Sequence, residues 1–87
     1  MPLSLEIVTP RTAVAPRTVR WVDVPAASGR LRILPGHAAL VCELAPGPVT
    51  AVGDDGVETT WNTGAGTVRV SADGEVTLLV RSAEARR

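Results

Sequence analysis

Short apolar runs recur about every ten residues along this chain, each closed by Pro, Gly, Asp or Asn. That spacing predicts a β-sandwich or barrel, and no helix-length periodic segment competes with it. Leu3, Leu5 and Ile7 alternate with Ser4, Glu6 and Val8 ahead of Thr9-Pro10, so the first strand turns its odd-numbered positions inward. Val19, Trp21 and Asp23 alternate with Arg20, Val22 and Val24 up to Pro25, and apolar groups on both faces predict a central strand covered on both sides. Ala26-Ala27-Ser28-Gly29 reads as a small-residue loop. In Leu34-Pro35-Gly36-His37, Pro35 fixes φ for the first central position of a tight turn and Gly36 supplies the positive φ that a type II turn needs at the second. Leu40, Cys42 and Leu44 form a further alternating run before Ala45-Pro46-Gly47-Pro48. Gly53-Asp54-Asp55-Gly56 and Ser71-Ala72-Asp73-Gly74 each separate two Val-rich runs, as hairpin loops do. The prediction is an all-β, two-sheet antiparallel β-sandwich of about ten short strands, a single domain over residues 1–87. Residues 82–87 read as a polar tail too short for an independent helix. The pairing order does not follow from the pattern.

Composition narrows the function classes. The thirteen Val and two aromatics, both Trp, suit stacked sheets. At 87 residues the chain buries roughly 60 to 65% of its unfolded surface, enough for one two-layer core but not for a multi-domain enzyme or a deep cleft. Nine Arg balance nine Asp and Glu, so no net field gathers polyanions, and with neither Tyr nor Phe for base stacking, nucleic acid is not an expected partner. A lone Cys42 forms no internal disulfide and favours the cytosolic side. The expectation is a chain without export signal or membrane span, no run reaching the ~18 apolar residues a span needs, so that membrane contact comes only through another protein.

The candidate chemistry is sparse. His37 and Cys42 are the single imidazole and thiol, and five extended residues separate them by about 16 Å, which gives no reason for them to meet as a hydrolase pair or a metal site. A turn histidine bonded to nearby backbone and an inert buried cysteine are the bland readings. Thr63-Gly64-Ala65-Gly66-Thr67 lacks the helix start that a phosphate loop requires, and reads instead as a bend where a strand passes between sheets. Asp54, Asp55 and Glu58 read as solvated turn chemistry. Arg30 and Arg32, two apart on a strand, share one face, suited to an acidic partner surface or simply to solvent. No catalytic residue, cofactor, metal or small-molecule ligand is expected.

The order of elements is more informative than any one of them. From Leu5-Glu6-Ile7-Val8-Thr9-Pro10 through Arg30-Leu31-Arg32-Ile33-Leu34-Pro35-Gly36-His37-Ala38-Ala39-Leu40, on through Leu44-Ala45-Pro46-Gly47-Pro48-Val49 and Glu75-Val76-Thr77-Leu78-Leu79-Val80, the chain resembles the epsilon subunit of F-type ATP synthases. L-x-I-L-P-G-H-A-x-L is the most specific piece. The resemblance implies the ten-stranded N-terminal β-sandwich of epsilon, a non-catalytic rotor subunit at the foot of the central stalk. It joins gamma to the membrane c-ring on the cytoplasmic face and couples ion translocation to ATP synthesis.

It further implies that the loop carrying Arg30, Leu31, Arg32, Pro35, Gly36 and His37 faces the c-ring. Three departures stand out. Arg30 and Arg32 replace the acidic residue and Gly of the family's E-L-G-I-L-P-G-H. Ala65-Gly66-Thr67 replaces a Gly-Gly-aromatic bend, leaving Trp61 or Trp21 to fill that volume. The C-terminal helical hairpin of longer epsilon subunits has no counterpart, so the expectation is a short form without the inhibitory brake. The alternative is a free-standing β-sandwich module that binds a protein by strand addition at an exposed edge.

Overall fold

A computed structural model describes residues 2–86, apart from the side chain of residue 15. Residues 1 and 87, the ends of the predicted domain, lie outside the described residues. Nine strands follow in order: β1 (Leu3–Val8), β2 (Ala13–Ala26), β3 (Gly29–Ile33), β4 (Leu40–Leu44), β5 (Gly47–Gly53), β6 (Glu58–Thr63), β7 (Gly66–Val70), β8 (Glu75–Val80) and β9 (Ala83–Ala85). They form the all-β sandwich that the alternation predicts. The expected polar tail contributes its Ala83–Ala85 segment to the sheet, where it pairs antiparallel with β6.

The architecture turns on β2, which is 14 residues long and belongs to both layers. Its first half pairs with β1 from Val8↔Ala13 to Leu3↔Val19, and its second half with β5 from Val19↔Gly53 to Asp23↔Thr50. At Val19 the two ladders meet. Between Val19 and Trp21 the register with β5 shifts, leaving Arg20 as an extra residue on β2. A bulge of one residue exchanges the two faces of a strand. Val19 is therefore buried before the bulge and Val22 and Val24 after it, while Trp21 and Asp23 turn outward. This is why the sequence shows apolar groups on both faces. The strand is central, but it is not covered on both sides as the pattern suggested. A second shift, between Leu5 and Ile7 of β1, puts Pro16 where the β1–β2 ladder is already interrupted, so its missing N–H is tolerated.

One layer runs β1-β8-β7-β4, and both its edges return to β2, through β1 and through the pair Ala26↔Leu44. The other runs β3-β2-β5-β6-β9. Counting the halves of β2 separately brings the nine strands to ten. One pairing departs from the antiparallel expectation: β1 and β8 run parallel, from Ser4↔Glu75 to Val8↔Leu79.

Leu3, Leu5, Ile7, Val68, Val76 and Leu78 of the first layer meet Val22, Val24, Ile33, Val49 and Trp61 of the second in one continuous core. Trp61, 4% exposed, fills core volume; Trp21 does not, because it stands outside the bulge. Thr63 is buried too, and its hydroxyl donates to the Gly47 carbonyl at 3.2 Å.

The chain passes between layers at Gly64-Ala65, between β6 and β7. Gly64 N–H donates to Ser82 O at 3.0 Å and Arg81 N–H to Ala65 O at 3.1 Å, so this backbone is spent on the sheet. The glycine-rich stretch is thus a bend between layers. A Cβ on Gly66 would fall on the Leu79 carbonyl oxygen and 2.7 Å from Val80 Cα, a close approach of two backbones that permits no side chain. On Gly64 it would meet the movable Ser82 hydroxyl first, at 3.0 Å. Gly66→Ala is therefore expected to cost at least the upper end of the roughly 1–3 kcal/mol typical of overpacking, lowering Tm by more than about 10 °C. Gly64→Ala should cost clearly less, and thermal unfolding of the two variants followed by circular dichroism checks the order.

Candidate functional site

The loop over residues 34–39, between β3 and β4, is held by its own turn. His37 N–H donates to the Leu34 carbonyl at 3.0 Å, and Gly36 sits at φ +85°, the left-handed conformation required at the second central position of a type II turn. Leu34, Pro35 and Gly36 are exposed, with Leu34 at 49% a large apolar side chain left in solvent. The half-buried His37 ring donates from Nδ1 to the Ala38 carbonyl at 2.7 Å, which leaves Nε2 as the acceptor in the neutral ring. Cys42 is half-buried on β4 and packs against the core. The imidazole is thus engaged within its own turn, while Cys42, expected to be buried, is half-buried.

The base of this loop is the β2–β3 hairpin. Ala27-Ser28 closes it, and its register pairs Val22↔Ile33, Asp23↔Arg32 and Pro25↔Arg30. Ile33 is fully buried and Leu31 packs half-buried against the core, so Leu31, one of the predicted contact residues, does not present its side chain outward. Arg30 and Arg32 do share the outer face, and there they meet two residues that sequence reasoning missed.

Asp23 Oδ2 lies 3.6 Å from Arg30 Nη2 and 3.7 Å from Arg32 Nη2, and the Arg32 guanidinium stacks 4.0 Å above the Trp21 ring. Arg30 reaches further, donating from Nη1 to the Pro48 carbonyl on β5 at 2.8 Å and from Nη2 to the Asp23 carbonyl at 3.4 Å. Ion pairs this exposed contribute within about 1 kcal/mol, and the cation–π stack adds a similar amount. Their effect is mainly to fix where the charges stand. The signal that could have found Asp23 and Trp21 is the two-residue hairpin closure, since it alone sets Asp23 opposite Arg32.

In the β5–β6 turn one acidic residue acts through its carboxylate and its neighbour through its backbone. Asp55 Oδ1 accepts from Val57 N–H at 2.9 Å, and the Asp54 carbonyl accepts from Arg20 Nη2 at 2.7 Å. Beside this turn an open groove of about 480 Å³ is lined by Arg17, Val19, Asp55 and Thr59, and a second of about 500 Å³ by Val8, Pro10, Gly66 and Leu79. Among the described residues no group of three or more His, Cys, Asp or Glu is arranged to hold a metal ion. What the exposed, pre-shaped loop and its charged base can offer is a surface for another macromolecule.

Comparison with known proteins bears on which one. Residues 2–86 match the family described as ATP synthase, Delta/Epsilon chain, beta-sandwich domain. The chain belongs to this family. Among similar proteins, the ATP synthase epsilon chain of Paracoccus denitrificans is 34% identical over 84 residues, which cover 97% of this chain and 56% of that protein. The epsilon chain of Roseiflexus sp. is 38% identical over 84 residues, 97% of this chain and 59% of that one. This delta/epsilon-type chain thus spans little more than half the length of these relatives. The fold is shared with a chain in the cryo-EM structure of the Euglena gracilis mitochondrial ATP synthase, OSCP/F1/c-ring, at a TM-score of 0.92 and 20% identity over 97% of this chain and 53% of that one. It is shared also with a chain of the Tetrahymena thermophila mitochondrial ATP synthase central stalk and c-ring, at a TM-score of 0.79 and 19% identity over 95% of this chain and 66% of that one.

The turn geometry gives a direct prediction. Nothing lies within 4 Å of a Cβ placed on Gly36, so Gly36→Ala carries only the backbone cost of a left-handed alanine, about 1–2 kcal/mol. That corresponds to a fall in Tm of roughly 4 to 16 °C. Gly36→Asn should recover part of it, because Asn tolerates this conformation. His37→Ala removes one neutral hydrogen bond and should cost about 1 kcal/mol. Urea unfolding of the three variants measures all of these.

Proposed function

We propose that this chain is a non-catalytic rotor subunit in the central stalk of a rotary F-type ATP synthase, joining gamma to the c-ring and coupling ion translocation to ATP synthesis. The observation that carries this reading is the family match over residues 2–86, in which every described element takes part. In this reading the loop over residues 30–37 is the ring-facing end, with Arg30, Arg32, Pro35, Gly36 and His37 at or beside the contact, and Leu31 anchoring it from within. The protein sits on the cytoplasmic face of the energy-transducing membrane and reaches that membrane only through the complex.

Physical features support a mechanical role. A rotor element must carry load without yielding, and here both edges of one layer are tied to the strand that continues into the other. The loop is fixed by a backbone hydrogen bond and a glycine turn, so its docking immobilises little that was free. Strand addition at β3 or β9, each paired along one edge, is the competing reading.

Purification through a tag on this chain, from detergent-solubilised membranes holding the complete synthase, separates the two. Gamma and the c-ring are expected in the eluate. Recovery of a soluble complex with no synthase subunit in it would instead establish the interaction-module reading.

A further inference from the structure

We infer that Arg32, laid on Trp21 and steered by Asp23, is the cation through which this chain grips an acidic loop of its membrane ring, and that Arg30 is an internal tie rather than a contact. The inference rests on the proposed ring-facing role of the adjoining loop and adds the chemistry of the partner.

The two arginines look equivalent in the sequence, but their donors are spent differently. Arg30 donates to Pro48 O at 2.8 Å and to Asp23 O at 3.4 Å, which binds the β3 edge across β2 to β5. Arg32 donates no hydrogen bond among the described residues. Its one ionic neighbour among the described residues, Asp23 Oδ2, stands 3.7 Å away, and its side chain is 53% exposed. The guanidinium carbon lies 4.0 Å over the Trp21 ring, and a guanidinium resting on an aromatic face by its flat side keeps its in-plane N–H fork available at the rim. That fork matches a carboxylate in a bidentate pair.

The charge count points the same way. Two cations share the single carboxylate of Asp23, so the cluster keeps one unit of positive charge. Glu58, another carboxylate on this face, lies beyond Val52, two strands from Trp21 and so about 10 Å away. One step past the last β2–β3 pair, Val22↔Ile33, come Trp21 and the exposed Leu34. The charged platform is therefore continuous with the apolar tip of the loop. An occupant that suits both is a polar loop carrying a carboxylate next to an apolar side chain.

The test measures retention of the tagged chain by purified gamma–c-ring complex across KCl from about 20 mM to about 500 mM, where screening shortens to a few ångströms. Arg32→Gln keeps length and solubility and is expected to weaken retention about fivefold at low salt, the difference vanishing at high salt. Arg30→Gln is expected to lower Tm by a few degrees and, because it removes charge from the cluster but not the exposed donor fork, to weaken low-salt retention clearly less than Arg32→Gln does. Leu34→Asp, which strikes the loop tip, is expected to release the chain at every salt concentration. Retention of Arg32→Gln equal to wild type at low salt would overturn the charge assignment, and if Leu34→Asp still released the chain, the ring-facing reading would survive that failure. A salt-dependent loss in Arg30→Gln as large as that in Arg32→Gln would overturn the division of labour between the arginines. Failure of the wild-type chain to be retained at all would overturn both readings together.

Discussion

One extra residue in one strand organises this molecule. The bulge at Arg20 lets β2 bury Val19 in the first half of its course and Val22 and Val24 in the second, so a single chain segment serves both layers without a break. Had the alternation run on unshifted, Trp21 and Asp23 would face the core and Val22 and Val24 the solvent. A carboxylate would then be buried and the outer platform lost. The bulge also leaves Arg20 free to reach the Asp54 carbonyl, which ties the β5–β6 turn to the point where the strand changes face.

The candidate interface follows from that shift. Trp21 and Asp23 are outside because of it, and the tight β2–β3 hairpin sets Arg30 and Arg32 beside them. From the same hairpin Ile33 enters the core, so the loop beyond it starts from a fixed point and needs only the Gly36 turn to hold its shape. The two faces of β3 thus differ: Leu31 and Ile33 anchor it, while Arg30 and Arg32 hold their charges outward.

Much of the fold was legible where the sequence is strictly local. The inward face of β1, the Leu34-Pro35-Gly36-His37 turn and the Ser71-Ala72-Asp73-Gly74 loop depend on alternation and turn chemistry alone and are found where expected, while the other hairpin loop is shifted by one residue, with Gly53 ending β5 and β6 starting at Glu58. The parallel pairing of β1 with β8 was not legible, because about seventy residues separate the partners and nothing in either strand names the other. Nor was β9, whose Ala-Glu-Ala carries no strand pattern and is ordered by its ladder to Trp61, Asn62 and Thr63. At the candidate site the Leu34-Pro35-Gly36-His37 motif marks the loop in the sequence, whereas the apolar groups on both faces of β2 hide that Trp21 and Asp23 stand outward. Leu31, which the resemblance sets among the ring-facing residues, packs half-buried against the core.

If β2 makes the two layers one body, the layers cannot open separately. Native-state amide hydrogen exchange under increasing denaturant addresses this directly, comparing protected amides of β7 and β8 with those of β5 and β6. A single body requires that all four strands exchange through one global opening, with the same free energy and the same denaturant dependence. A cheaper opening confined to β5 and β6, leaving β7 and β8 protected, would contradict it.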